Sequence, residues 1–198
     1  MKKFLPLIII AVLAIGIYSW VKGINNTAVT LNENIKESWG NVETAYERRN
    51  SLIGNLVNTV KGAADFEKST LEAVINARSK ATQTTVDASN VTPEQLAAFS
   101  QAQSGVNSAL SRLLVSVERY PDLKANQNFI KLQDELVSTE NQILTARTRF
   151  NETVKPYNNH IKVFPNNLLA GVLGFTEKGY FKASEGAEKA PEVKFDFK

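Results

Sequence analysis

The sequence predicts an all-α protein: an N-terminal transmembrane helix followed by an up-and-down, coiled-coil-like bundle of three long helices and one short one. Three observations carry this. Residues 4–21, FLPLIIIAVLAIGIYSWV, hold no charge, and eleven of the eighteen are Leu, Ile, Val or Phe. Apolar residues after them recur in alternating steps of three and four, the period of a helix with one buried face. Two later stretches repeat apolar residues every seven positions, which allows coiled-coil packing.

The anchor comes first. A helix of eighteen residues is roughly 27 Å long, close to the hydrocarbon thickness of a bilayer. Phe4, Leu7, Ile10, Leu13, Ile17 and Trp20 are its expected lipid contacts. Pro6 falls in the first turn, where its missing N–H breaks no helical bond. Trp20 and Tyr18 at one end, with Lys2, Lys3 and Lys22 flanking, are placed as interface anchors. Met1-Lys2-Lys3 and the small residues Ala14 and Gly16 also suit a cleaved signal peptide. The apolar run continues past Gly16 to Val21, however, which favours an uncleaved span over 1–23. The chain has no cysteine, which excludes a lipoprotein anchor and disulfides.

Charge placement narrows the partners. Lys2, Lys3 and Lys22 account for three of the 23 basic residues, leaving 20 against 20 acids in the rest of the chain. A neutral domain without a basic block does not suit nucleic acid. Two lysines before the span and one after it place the short tail in the cytoplasm and the domain outside, by the positive-inside rule. The expected location is the bacterial cytoplasmic (inner) membrane.

The domain, 24–182, begins with a predicted helix from Ile24 to about Ala88, with Leu31, Ile35, Trp39, Val42, Tyr46, Ile53, Leu56 and Val60 on its apolar face. Gly54 is its expected kink. Ala88–Val91 reads as a turn, and Thr92-Pro93-Glu94-Gln95 as a helix start: N-cap, N1 proline and a glutamine able to close a capping box. Phe99, Val106, Leu113 and Tyr120 follow at spacing seven, and Pro121 ends that run. In the next helix Phe129, Leu136, Ile143, Phe150, Tyr157 and Phe164 repeat every seven, with Gln133, Glu140, Arg147, Val154 and Ile161 at partner positions. Pro156 is expected to bend this helix and Pro165 to stop it. Asn166–Gly174 reads as a short apolar helix, and 183–198 as a mobile tail.

No residue pattern carries chemistry. The lone His160 reads as a solvated polar residue on a helix flank. There is no HExxH, Gly-rich phosphate loop or GxSxG motif, and no Glu-x-x-His of the kind that carboxylate-bridged metal bundles use. No catalytic residue, metal or cofactor is expected. Arg49, Glu140 and Arg147 read as structural ion pairs that set helix register. Trp39 and Tyr46 lie on the membrane-proximal half of the first helix, which a second helix of about 42 Å leaves uncovered. That overhang calls for cover by the apolar segment 168–181 or by another copy. Self-association through Trp39 and Tyr46, giving a homo-oligomer, is the expectation.

Trp39-Gly40-Asn41-Val42-Glu43, Tyr46-Glu47-Arg48-Arg49 and Leu52-Ile53-Gly54-Asn55-Leu56-Val57 resemble the LemA family. So do Glu118–Phe129 (ERYPDLKANQNF), Thr139-Glu140-Asn141, Ala146-Arg147 and Phe164-Pro165. Gly54 departs from the proline usual in that family, and Pro156 is outside its pattern. The resemblance implies a bacterial single-pass membrane protein with a helical-bundle domain and no established enzymatic activity. Three functions compete, in this order: a non-enzymatic scaffold bound to the lipid bilayer and to copies of itself, an adaptor or regulatory subunit of a membrane enzyme such as a metalloprotease, and last a hydrolase or metal enzyme using Glu140, arginine and His160.

Overall fold

The structure is a computed structural model that describes residues 4–62 and 66–183. It is all-α, with an apolar N-terminal helix leading into a helical bundle, and no strand occurs among the described residues. Helix α1 runs from Leu5 to Lys61 without a break, 57 residues or about 85 Å. Its first part is exposed on every side. From Ile24 onward one stripe turns inward (Ile24, Ala28, Ile35, Trp39, Val42, Tyr46, Arg49, Ile53, Leu56, Val60), in steps of three, four and seven. A single helix therefore carries both the exposed apolar segment and a member of the bundle.

The predicted helix 24–88 is two helices. α1 ends at Lys61, Gly62 caps it with its N–H on the Thr59 carbonyl at 3.3 Å, and α2 spans Lys68–Gln83. The stripe of one uninterrupted rod would have had nothing to bury against. Folded back, α2 packs chiefly on the next long helix (93–117) and adds Leu71, Val74 and Ala81 to the core cluster that holds Leu52, Leu56 and Val60. Glu67, at the start of α2, accepts from Thr70 Oγ1 (3.2 Å) and Arg119 Nη2 (2.8 Å), tying this corner to the end of the next helix. Gly54 is no kink. It sits within α1, where a Cβ would stand 3.5 Å from Arg78 Nη1 of α2.

α3 (Pro93–Val117) starts as its sequence dictates. Thr92 Oγ1 accepts from the Gln95 N–H and Gln95 Oε1 from the Thr92 N–H, both at 3.2 Å. One turn, α4 (Pro121–Lys124), follows, and Asn126 Oδ1 caps α5 by accepting from the Asn128 and Phe129 N–H groups at 2.9 and 3.2 Å. Within the polar run from Asp122 to Asn128, Asn126 thus closes a helix end and Lys124 pairs with Glu118. α5 (Gln127–Lys162) passes through Pro156 and lies antiparallel to α1. Phe129, Leu136, Ile143, Phe150 and Tyr157 are buried as their spacing requires. Phe164 is not: the helix has ended two residues before it, and its ring is 79% exposed.

The predicted helix 166–174 contains one four-residue helix, α6 (Asn167–Ala170), with turns on either side. Residues 175–183 then run as an extended strap up the outside of α5. The core has two parts. A membrane-near cluster centres on Trp39, Phe99, Phe150, Tyr157 and Phe181, and a distal one on Ile53, Leu56, Val74, Leu113 and Phe129. Lys2, Lys3 and nearly all of the expected mobile tail, residues 184–198, lie outside the described residues.

Candidate functional site

Three features are candidates for function: the exposed span, a buried polar node, and the strap. In the span Phe4, Leu7, Ile10, Leu13 and Ile17 are all about 60% exposed, Trp20 falls to 36%, and Ile24 to 3%. The bundle therefore begins between Trp20 and Ile24. The segment is long and apolar enough to cross a membrane. No other described helix meets that test.

Between the two core clusters sits Arg49, 1% exposed. Its Nη1 donates to Asn107 Oδ1 at 2.8 Å and to Glu140 Oε1 at 2.9 Å, and its Nη2 donates to Gln103 Oε1. The guanidinium lies 4.9 Å from the Tyr46 ring centroid. Helices α1, α3 and α5 all contribute, so the node sets their relative register. Glu140 is half in solvent, which keeps the pair from being fully desolvated. Burial pushes the Tyr46 hydroxyl above its ordinary 10.0, against the pull of Arg147 and Arg49.

Of the expected ion pairs, Arg49–Glu140 forms. Arg147 has no carboxylate partner among the described residues. It donates to the Lys182 carbonyl at 2.9 Å and lies 4.7 Å over the Phe181 ring, because the strap covers this face of α5.

The self-association surface expected at Trp39 and Tyr46 is corrected in the same way. Trp39 is fully buried and Tyr46 is 6% exposed. Trp39 meets Phe99 and Phe150 edge-on and stacks on Phe181 at 6.1 Å, while Tyr46 meets Phe99 at 4.9 Å. The chain covers its own overhang with α3 and the strap.

The strap is held by a pattern that the sequence reading missed. Asn158 Nδ2 donates to the Lys178 carbonyl and Asn158 Oδ1 accepts from the Lys178 N–H, both at 2.9 Å. Asn151 does the same to Phe181, again at 2.9 Å. Seven helical residues advance about 10.5 Å, and three extended residues about 10 Å. Two asparagines one heptad apart therefore match two strap peptides three residues apart. Gly179 donates its N–H to the Val91 carbonyl at 3.0 Å and passes so near α3 that a Cβ would stand 2.9 Å from Pro93 Cα. Lys178, 4% exposed, extends its ammonium to the Ser89 carbonyl (2.9 Å) and Asn90 Oδ1 (3.1 Å). Burial lowers its pKa below the ordinary 10.5, opposed by Asp87.

His160 is bonded rather than simply solvated. Its Nε2 lies 3.0 Å from the Ile24 carbonyl, and Asn166 Nδ2 donates to the His160 carbonyl at 3.0 Å and lies 3.4 Å from its Nδ1. A surface cleft of about 450 Å³ is lined by Asn41, Ser138, Asn141, Gln142, Thr145, Ala146 and Arg149, with no carboxylate or histidine for proton transfer. Among the described residues no three His, Cys, Asp or Glu side chains stand together as a metal would need.

A LemA family model matches residues 38–195, from the turn before Trp39 through the node and the strap. The chain belongs to the LemA family. Among its relatives is protein LemA of Metamycoplasma hominis, 26% identical over 179 residues, covering 90% of this chain and 78% of that one. Magnetosome proteins MamQ 1 and MamQ 2 of Paramagnetospirillum magneticum are each 30% identical over 178 residues, covering 79% of this chain. The chain spans 64% of the length of these MamQ relatives, just under two thirds. None of these relatives bears the name of an enzyme. The family assignment agrees with a membrane-associated helical protein.

Proposed function

We propose that this LemA-family protein is a single-pass, membrane-anchored helical scaffold without catalytic activity. One observation carries the reading: an exposed apolar span and the central helix of the bundle are one uninterrupted α1. A rigid continuation of this kind holds the bundle upright and close to the bilayer. The buried polar groups support a structural role, since those of Arg49, Asn151, Asn158 and Lys178 are directed at partners inside the chain. The bacterial inner membrane, with the amino terminus in the cytoplasm and the bundle outside, follows from the lysine placement around the span.

Self-association belongs to this proposal through a different surface from Trp39 and Tyr46. On the outer face of α5, Ile130, Val137 and Leu144 stand seven apart, and the last two are 65% and 63% exposed. Copies anchored in one membrane are parallel, so these stripes meet in register as a coiled-coil seam does. The test uses the full chain in native membranes. Cysteine crosslinking in a Val137→Cys variant gives a dimer, and protease added to intact cells cleaves the bundle. A strict monomer removes the self-association, and a protected bundle reverses the orientation.

A further inference from the structure

The loop that joins α5 to the strap has an apolar side facing away from the bundle. Phe164, Leu168 and Val172 recur every four residues through a helical turn, and they are 79%, 62% and 84% exposed. The other side of the same turn, Leu169, Ala170 and Leu173, faces the core or is half-buried. A segment that is apolar on both sides needs a second apolar surface. From Val163 to Thr176 no residue is charged.

Its height above the membrane follows from two contacts. α5 descends beside α1, with Phe150 against Trp39 and His160 Nε2 on the Ile24 carbonyl. α5 ends at Lys162, two residues or about 3 Å below His160. The loop therefore leaves the helix beside the stretch from Trp20 to Ile24, where the exposed span ends and the bundle starts. Lys22 is exposed beside this level, within reach of anionic headgroups, whereas Lys162 is paired with Glu177 of the strap.

We propose that the loop 163–174 is a second membrane contact, with Phe164, Leu168 and Val172 seated in the headgroup–acyl boundary of the bilayer that α1 crosses. The occupant is lipid because the uncharged loop leaves α5 beside the lower end of the bundle, next to the exposed apolar span, and α1 keeps it at that depth. Interfacial elements of this kind bury their apolar face about 5–10 Å into the boundary. Together with α1 the loop gives the bundle two points of attachment, which restrains its tilt and rotation on the membrane.

The proposal rests on the reading that the α1 span lies in the bilayer, and the experiment separates the two. The chain has no cysteine, so single-cysteine variants label at one place. Full-length Phe164→Cys, Val172→Cys, Leu13→Cys and Val137→Cys chains carry a nitrobenzoxadiazole label. They are reconstituted in phosphatidylcholine–phosphatidylglycerol vesicles containing spin-labelled phosphatidylcholine, and circular dichroism checks that each is helical. Labels at 164 and 172 are expected to shift to the blue and to be quenched by headgroup-labelled lipid. The label at 13 is quenched by acyl-labelled lipid, and the label at 137 by neither. Water-like, unquenched emission at 164 and 172 with quenching at 13 overturns the loop contact and leaves the anchor. A blue shift without lipid quenching means protein cover, such as a second copy, and also overturns it. An unquenched label at 13 removes the anchor and the proposal together.

Discussion

Arg49 Nη1 and Glu140 Oε1 stand 2.9 Å apart across the α1–α5 contact, but the two members of this pair are not equivalent. The arginine is almost entirely buried and the carboxylate is 44% exposed. Arg49 also serves Gln103 and Asn107 of α3, so it belongs to three helices and Glu140 to one contact.

Arg49→Ala is therefore expected to cost more than Glu140→Ala. Removing the guanidinium strands the buried Gln103 amide oxygen and opens a cavity, for about 3 kcal/mol. Removing the carboxylate leaves Arg49 with its amide partners, for about 1–2 kcal/mol. Urea unfolding of the two variants checks the order. Equal losses would mean that the ion pair alone carries the node.

The strap closes the membrane-near core. Phe181→Ala uncovers the stacked face of Trp39 and is expected to cost about 3 kcal/mol, within the usual range for a buried phenylalanine. Gly179→Ala brings a Cβ to 2.9 Å from Pro93 Cα, and backbone has to shift to admit it. A loss of about 1–3 kcal/mol is expected. Raised tryptophan fluorescence quenching by acrylamide in both variants would report the strap lifting from Trp39.

The α3 start gives a smaller and cleaner effect. Thr92→Ala removes an N-cap acceptor and half of a capping box, which is expected to cost about 1 kcal/mol. Thermal unfolding measures it. Gln95→Ala should lose less, since the Thr92 hydroxyl still caps the helix.

Lys178 makes stability depend on alkaline pH. Burial holds its folded pKa below the ordinary 10.5 of the unfolded chain. Between the two values the unfolded chain binds more protons than the folded one, so stability rises with pH in that window. Tyr46 and Tyr157, which burial pushes above 10.0, act in the other direction. Their contribution is present below 10.0 and is lost as pH rises through their raised values. Comparison with Lys178→Met cancels the tyrosines. The unfolding free energy of the parent chain minus that of the variant is expected to grow as pH rises towards 10.5, and a flat difference would place the ammonium in solvent.

Local chemistry and period were enough for much of this molecule. The uncharged run 4–21, the Thr92–Gln95 start, the heptads of α5 and the all-α class could be read from residues alone, because each depends on neighbours within a turn or two. The Arg49–Glu140 pair was also legible, since a charge at a core position of one long helix needs an opposite one on the next.

What lay between distant segments could not be read in that way. The reversal after Lys61 depends on α2 packing chiefly on α3, with Leu71 and Val74 joining the cluster that also holds the α1 stripe from Leu52 to Val60. Trp39 and Tyr46 looked exposed because their covers are distant in the chain: Phe99 of α3 meets both, and Phe181, more than 130 positions from Trp39, stacks on it only when Asn151 and Asn158 have captured the strap. The sequence determined which faces must be covered; the tertiary structure decided what covers them, because burial depends on the whole arrangement of segments whereas helix formation depends on adjacent residues.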